Sequence, residues 1–173
     1  ILNASGRLRT AELAIELLCT TQAARAEELA KQLYELNNER KRLGEECYNG
    51  VKRYLIEQND IENDRILMVA APMKNQGVTG IVATRLMLDY CRPVIVLLED
   101  QGKFLGSARS FKDINIIEAL NYCSECLEKF GGHIGAAGLT MQPGNETLFR
   151  QKLREFAARH ISLEDLQPEW LID

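Results

Sequence analysis

Histidine is nearly absent from this chain: its 173 residues contain two, His133 and His160. No carboxylate–histidine cluster surrounds either, which excludes a dinuclear metal centre built from this chain alone. No Ser-His-Asp or Cys-His nucleophilic arrangement can be assembled either. Aromatic residues are only 6% of the chain, so no base-stacking platform is advertised. Positive net charge is missing as well. Lys and Arg number 21 against 25 Asp and Glu, a formal charge of −4. Such a chain does not grip nucleic acid with its whole surface. Any such contact must come from a local cluster of Arg, Lys and backbone donors. No apolar run is long enough to span a bilayer and no signal-peptide pattern is present, so no membrane partner and a cytoplasmic location are expected. The five cysteines are odd in number and scattered, as in a reduced intracellular protein. Cys123 and Cys126 form a C-x-x-C without the second pair that zinc wants. A redox role is the alternative, but the pair falls inside an amphipathic helical pattern and is expected to be two semi-buried helix cysteines.

What is present is enough apolar residue, 46%, for a core, in a length suited to one domain or one domain plus an appendage. The chain begins at Ile1 without methionine and is expected to be a piece of something longer. Thr10 to about Leu18 reads as a short helix capped by Thr10. Thr20 or Thr21 then caps a second helix running to Gln58. Its apolar residues are Leu29, Leu33, Leu36, Leu43, Cys47, Val51 and Tyr54, with Arg40 at a missing seam position. About 38 helical residues would extend roughly 57 Å, and Gly44 and Gly50 are the weak points, each costing about 1 kcal/mol relative to Ala. A spacer between two domains is favoured over a coiled-coil segment, because nothing else in the chain matches it as a partner helix.

Beyond the polar loop Asn59 to Asp64 the pattern changes. Strands are expected at Arg65 to Ala71, Pro93 to Leu98, Lys103 to Ser110 and Gly138 to Gln142. Helices are expected from Gly77 to Tyr90, from Asp113 through Leu127 to a stop at Gly131, and from an Asn145 cap through Phe156. Alternating strands and helices indicate an α/β layer structure. His160 reads as a surface residue at a helix C-terminus. Residues 161–173, with Pro168 and Trp170, read as the start of a linker.

Four segments could carry chemistry. Gly131-Gly132-His133-Ile134-Gly135-Ala136-Ala137-Gly138 packs glycines around a histidine. Backbone N–H groups and an imidazole can share phosphate oxygens there, although an ordinary tight turn fits the same residues. Asn75-Gln76-Gly77-Val78-Thr79-Gly80-Ile81 opens a helix after a strand and suits an anion, or else close helix–strand packing at Gly80. Gly106-Ser107-Ala108-Arg109-Ser110 ends a strand with two hydroxyls and a guanidinium, which suits a phosphate oxygen or a solvated strand end. Asn3-Ala4-Ser5-Gly6-Arg7-Leu8 repeats the Asn, Gly and Arg combination. These residues describe an α/β binding module with a phosphate-friendly face, a helical arm and no complete catalytic centre.

These strings, with Gly77-Val78-Thr79-Gly80-Ile81-Val82-Ala83-Thr84-Arg85-Leu86 and Phe130 before the glycines, resemble in order and spacing the C-terminal half of RecJ-type single-strand-specific DNA exonucleases. These belong to the DHH phosphoesterase superfamily. The resemblance runs from Leu2 to about Phe156. It implies a mixed DHHA1-like α/β sheet flanked by helices and preceded by a long connecting helix. The divisions would be a remnant of the DHH domain at 1–19, the connecting helix at 20–59, the DHHA1 domain at 60–160 and a linker at 161–173. It implies a role in holding single-stranded DNA for 5′-to-3′ digestion. Mn2+ or Mg2+ would sit on a DHH domain supplied in cis, no metal would bind this part, and the whole protein would be a monomer. Arg109 with Ser107 or Ser110, and His133 with Gly131 and Gly132, would contact phosphates near the scissile bond. Arg7 and Asn3 would lie near the same cleft, beside Asn75 and Gly77. The family often shows Trp-His where this chain has Lys74-Asn75; Asn75 keeps a donor and an acceptor but no titrating imidazole. The alternatives are a phosphodiesterase for short oligonucleotides or cyclic dinucleotides, against which the long helix argues, and a non-enzymatic nucleic-acid-binding or scaffold module.

Overall fold

In the computed structural model, which describes residues 1–73 and 75–168, two short helices, α1 (Ser5–Leu8) and α2 (Glu12–Cys19), fold back on a 36-residue helix, α3 (Ala23–Gln58). At 1.5 Å per residue α3 is roughly 54 Å long, and it continues through Gly44 and Gly50. Its first half buries Leu29, Leu33 and Leu36, and α1 and α2 pack against it. Each fully buried leucine contributes about 2 kcal/mol. Its second half turns Tyr48, Val51 and Leu55 to the remainder of the chain.

That remainder is a five-stranded sheet of order β1-β2-β3-β5-β4, with β1 (Leu67–Ala70), β2 (Val94–Asp100), β3 (Lys103–Arg109), β4 (Lys129–His133) and β5 (Ala136–Met141). β1 and β2 are parallel and the other pairs antiparallel, so the sheet is mixed, as expected. Helix α4 (Thr79–Tyr90) makes the parallel crossover, and α5 (Ile116–Tyr122) and α6 (Glu146–His160) follow β3 and β5.

Strand alternation divides the core in two. Met68, Ile95, Leu97, Ala108, Ala137 and Leu139 pack with Ile116, Leu120, Phe149 and Leu153 of α5 and α6. Leu67, Val69, Val94 and Val96 pack with Val51 and Leu55 of α3 and with Val82 and Leu86 of α4. A polar cluster pins α3 to α4. The Tyr48 hydroxyl donates to Asp89, Lys52 Nζ donates to the Tyr48 oxygen at 3.0 Å, and Arg85 lies 3.8 Å from the Tyr48 ring centre while pairing with Glu45. The outer edge of β1 is closed by side chains. Asn59 and Gln58 exchange hydrogen bonds with the backbone of Met68 and Ala70 at 2.9–3.0 Å, replacing a further strand.

Several local expectations need correction. α3 begins with Gln22 as its cap residue; the Thr20 hydroxyl only accepts a bond from the Gln22 N–H. Thr10 does not cap α2 but donates to Glu12. α4 starts at Thr79, after a 3₁₀ turn at Gln76–Val78. The helix expected from Asp113 to Gly131 is much shorter. Asn115 caps it by accepting from the Ile117 and Glu118 N–H groups, it ends at Tyr122, and Lys129–His133 is a strand. Two glycines weaken a helix there, and pairing with β5 satisfies the backbone instead. β5 correspondingly starts at Ala136, earlier than expected. Asn145 stands at the cap of α6 but its amide donates to the Cys126 carbonyl.

Cys123 and Cys126 lie at the end of α5 and in the following 3₁₀ turn, both buried. Burial pushes the Cys123 thiol up to about 12, the opposite of a reactive thiolate. His160 is exposed and stacks on Phe156 at 4.6 Å. In the tail, Ile161 and Leu166 join the core; Trp170 and the segment 169–173 lie outside the described residues. Among those described, no helix is long and apolar enough to cross a membrane.

Candidate nucleic-acid interface

Helix α4 packs on β2 and β3, and among the described residues it does not extend over β5 and β4 on that face. The register runs three cross-strand rows from β3, beside α4, out onto β5 and β4. Arg109, Ala136 and His133 form one row; Ser107, Gly138 and Gly131 the next; Leu105, Thr140 and Lys129 the third. The glycine-rich segment is therefore a β-hairpin whose turn is Ile134-Gly135. That turn is braced by Ser110 N–H to the Gly135 carbonyl at 2.9 Å and Ile116 N–H to the Ile134 carbonyl at 3.1 Å.

The glycines differ in what they do. Gly132 has φ +155°, and a Cβ there would stand 2.2 Å from the Ala136 carbonyl oxygen, so the hairpin itself requires glycine. A Cβ on Gly131 would meet nothing within 4 Å, and one on Gly138 only the Gly106 oxygen at 3.9 Å. Packing asks for neither. They leave a bare peptide floor in a groove of about 440 Å³, lined also by Gln76, Leu105, Lys129 and Thr140.

Arg109 stands at the head of this floor. Its Nε donates to the Thr84 hydroxyl oxygen at 3.2 Å and its Nη1 to the Ala108 carbonyl at 2.7 Å. Thr84 in turn donates to the Gly80 carbonyl at 2.8 Å. Gly80 makes room for the guanidinium, because a Cβ there would lie 2.5 Å from Nη2. Close packing at Gly80 is thus real, and the packed object is Arg109. Among the described residues no carboxylate pairs with Arg109. Burial first, and the charge of Arg7 second, hold its guanidinium below its ordinary range. Two neighbouring guanidinium groups, one half-buried, with donor sites to spare, attract an anion.

His133 is exposed, and its Nδ1 accepts from the Gly135 N–H at 3.2 Å. With Nδ1 accepting, Nε2 is the ring nitrogen left to donate. The Ser107 hydroxyl forms no hydrogen bond among the described residues and lies between Arg109 and the groove. Ser110 is not brought to this face: it is buried and its hydroxyl donates to the Ile114 carbonyl.

Arg7 Nη1 donates to the Gly77 carbonyl at 3.3 Å. The two segments touch so closely that a Cβ on Gly77 would fall 1.9 Å from the Arg7 carbonyl oxygen. The Gly77 N–H is taken by the Asn75 side-chain oxygen at 2.8 Å. Gly77 and Asn75 therefore shape the junction, and the Asn75 amide N–H groups remain as donors. Lys74 lies outside the described residues. Asn3 is exposed and joins Arg7, Asn37 and Arg40 around a shallow hollow of about 190 Å³, where the buried Arg40 Nε has no partner among the described residues. Sequence reading missed Thr84 and Lys129. The four-residue spacing of Gly80 and Thr84 was the available signal for the first; nothing marked Lys129 until the strand was seen. Among the described residues, no three His, Cys, Asp or Glu side chains are grouped to hold a metal ion, so no metal-dependent step is assigned to them.

Comparison with known proteins identifies the family and the fold. Residues 63–159 match the family model described as the DHHA1 domain. The single-stranded-DNA-specific exonuclease RecJ of Bacillus subtilis is 36% identical over 99% of this chain and 22% of its own length, and that of Thermus thermophilus is 37% identical over 97% and 25%. The crystal structure of T. thermophilus RecJ in complex with Mg2+ superposes with a TM-score of 0.79 at 34% identity, covering 91% of this chain and 24% of that one. The chain thus spans about a quarter of the length of these relatives. It belongs to the DHHA1 domain family, in the form found within RecJ exonucleases.

Proposed function

We propose that this chain supplies the strand-holding wall of a 5′-to-3′ single-stranded-DNA exonuclease of RecJ type. Arg109, with Ser107 beside it, takes a phosphate of the strand. His133 donates to the same region from Nε2, and Arg7 adds charge from the other side. Gly131 and Gly138 let the strand lie against backbone; Gly132 holds the hairpin that presents them. Solved relatives hold Mg2+ or Mn2+, which supply water activation and charge neutralisation when bound. In this reading the metals sit on a DHH domain outside this chain, and the chain alone does not cut DNA. The protein's own work here is to bind and orient the strand.

The observation that carries the reading is Arg109: a half-buried guanidinium with no carboxylate partner among the described residues, set against Gly80 and near a second arginine. Arg109→Ala is expected to weaken oligothymidylate binding to this chain by about tenfold, the scale of one charge-assisted hydrogen-bonding group. Arg109→Lys should fall between. Fluorescence anisotropy at fixed salt measures both, and unchanged affinity in Arg109→Ala would refute the reading.

A further inference from the structure

We propose that Lys129 is a second strand-binding residue, holding a different phosphate of the same single strand from the one at Arg109 and His133. The inference rests on the strand-holding reading and extends it along the sheet.

Lys129 and His133 lie on one strand, four residues apart, and the register puts both on the uncovered side, opposite Thr140 and Ala136. Four residues of strand span about 13 Å, too far for both side chains to serve one phosphate. Between them lies the Gly131–Gly138 floor, where a Cβ on Gly131 would meet nothing within 4 Å, and both Lys129 and Gln76 line the groove over it. A ligand that engages Lys129 together with Arg109 or His133 must cross this bare peptide, which suits an extended polymer rather than a compact anion.

Charge supports the same occupant. The carboxylate nearest this end, Glu128, is held by Lys103 at 2.8 Å and by Gln142, and Lys103 first holds its carboxyl below the usual range. Among the described residues the Lys129 side chain forms neither an ion pair nor a hydrogen bond, and its charge acts on neighbouring Glu128 only after Lys103 and Gln142 have bonded that carboxylate. In a chain of net charge −4, a face bearing Arg7, Arg109, His133 and Lys129 is a local exception. Its two ends match a strand carrying one negative charge per nucleotide.

The test compares this chain with its Lys129→Gln, Lys129→Arg and Arg109→Ala variants, using a dinucleotide and a longer oligothymidylate. Lys129 is exposed, so its replacement leaves folding intact. Lys129→Gln should bind the longer oligomer roughly fivefold more weakly and lower its salt slope by about 0.7. Dinucleotide affinity should stay unchanged, and Lys129→Arg should retain the wild-type values. Equal losses for both ligands, or no loss for either, would overturn the second contact. If Arg109→Ala alters neither ligand, the strand-holding reading fails instead, independently of Lys129.

Discussion

On its α3/α4 side the sheet is finished in two ways. Over β1 and β2 it presents Leu67, Val69, Val94 and Val96, all fully buried. Over β3, β5 and β4 the corresponding positions are Leu105, Ser107, Arg109, Ala136, Gly138, Thr140, Lys129, Gly131 and His133, and among the described residues no helix lies over the last two strands there. The opposite side is apolar across both halves, from Met68 to Leu139. On one half of one face, large apolar side chains are thus reduced to Leu105, while the rest of the sheet packs conventionally. Where packing decides, residues are large and branched. Where it does not, most are small or basic, with Leu105 and Thr140 the exceptions.

The comparison can be broken from either half. Leu67→Ala, in the covered half, should cost about 3 kcal/mol of stability in chemical denaturation, with oligomer affinity per folded molecule unchanged. Gly132→Ala should cost about 2 kcal/mol, because the left-handed backbone and the Ala136 carbonyl leave no room for a side chain. Gly80→Ala should separate the two properties. It removes a poor helix former, adding up to about 1 kcal/mol, yet it displaces the Arg109 guanidinium and should lower strand affinity. Gly138→Ala should change stability by only about 0.5 kcal/mol or less while reducing oligomer binding.

A smaller effect belongs to the packed side. The buried Cys123 thiol has its pKa raised from 9.0 to about 12. A raised thiol pKa means the folded state keeps a proton that the unfolded chain releases. Its contribution is full below pH 9 and is lost as pH rises towards 12. A Cys123→Ala variant should show a shallower decline over that window in denaturation curves. At pH 8 a thiol reagent should label exposed Cys19 well before Cys123 or Cys126.

The covered half was legible in the sequence because apolar runs such as Val94 to Leu98 follow from burial, and α3 because its seam repeats. The uncovered half was legible only in part. Arg109, Ser107, His133 and the glycines could be picked out as residue types that suit phosphate, but the hairpin joining them could not. Periodicity through Cys123, Cys126 and Leu127 continues a helical pattern past its true end. Only pairing between Phe130 and Leu139 or Gly131 and Gly138, a non-local matter, turns the segment into strand. The fate of the two serines was equally hidden. Ser107 and Ser110 are three residues apart in one motif, so strand alternation sends them to different surroundings, and only the fold shows that Ser110 braces a loop. Gly77 and Gly80 look alike in sequence; one accommodates the Arg7 backbone and the other the Arg109 side chain.

The most direct test is a nuclear magnetic resonance titration of this chain with oligothymidylate, following backbone amides. The account predicts shifts along the uncovered rows, at Ser107, Arg109, Gly131, His133 and Gly138, with amides of β1 and the α5–α6 side unmoved. Shifts confined to the α5–α6 side, or none at concentrations where Arg109→Ala and wild type also bind alike, would contradict it.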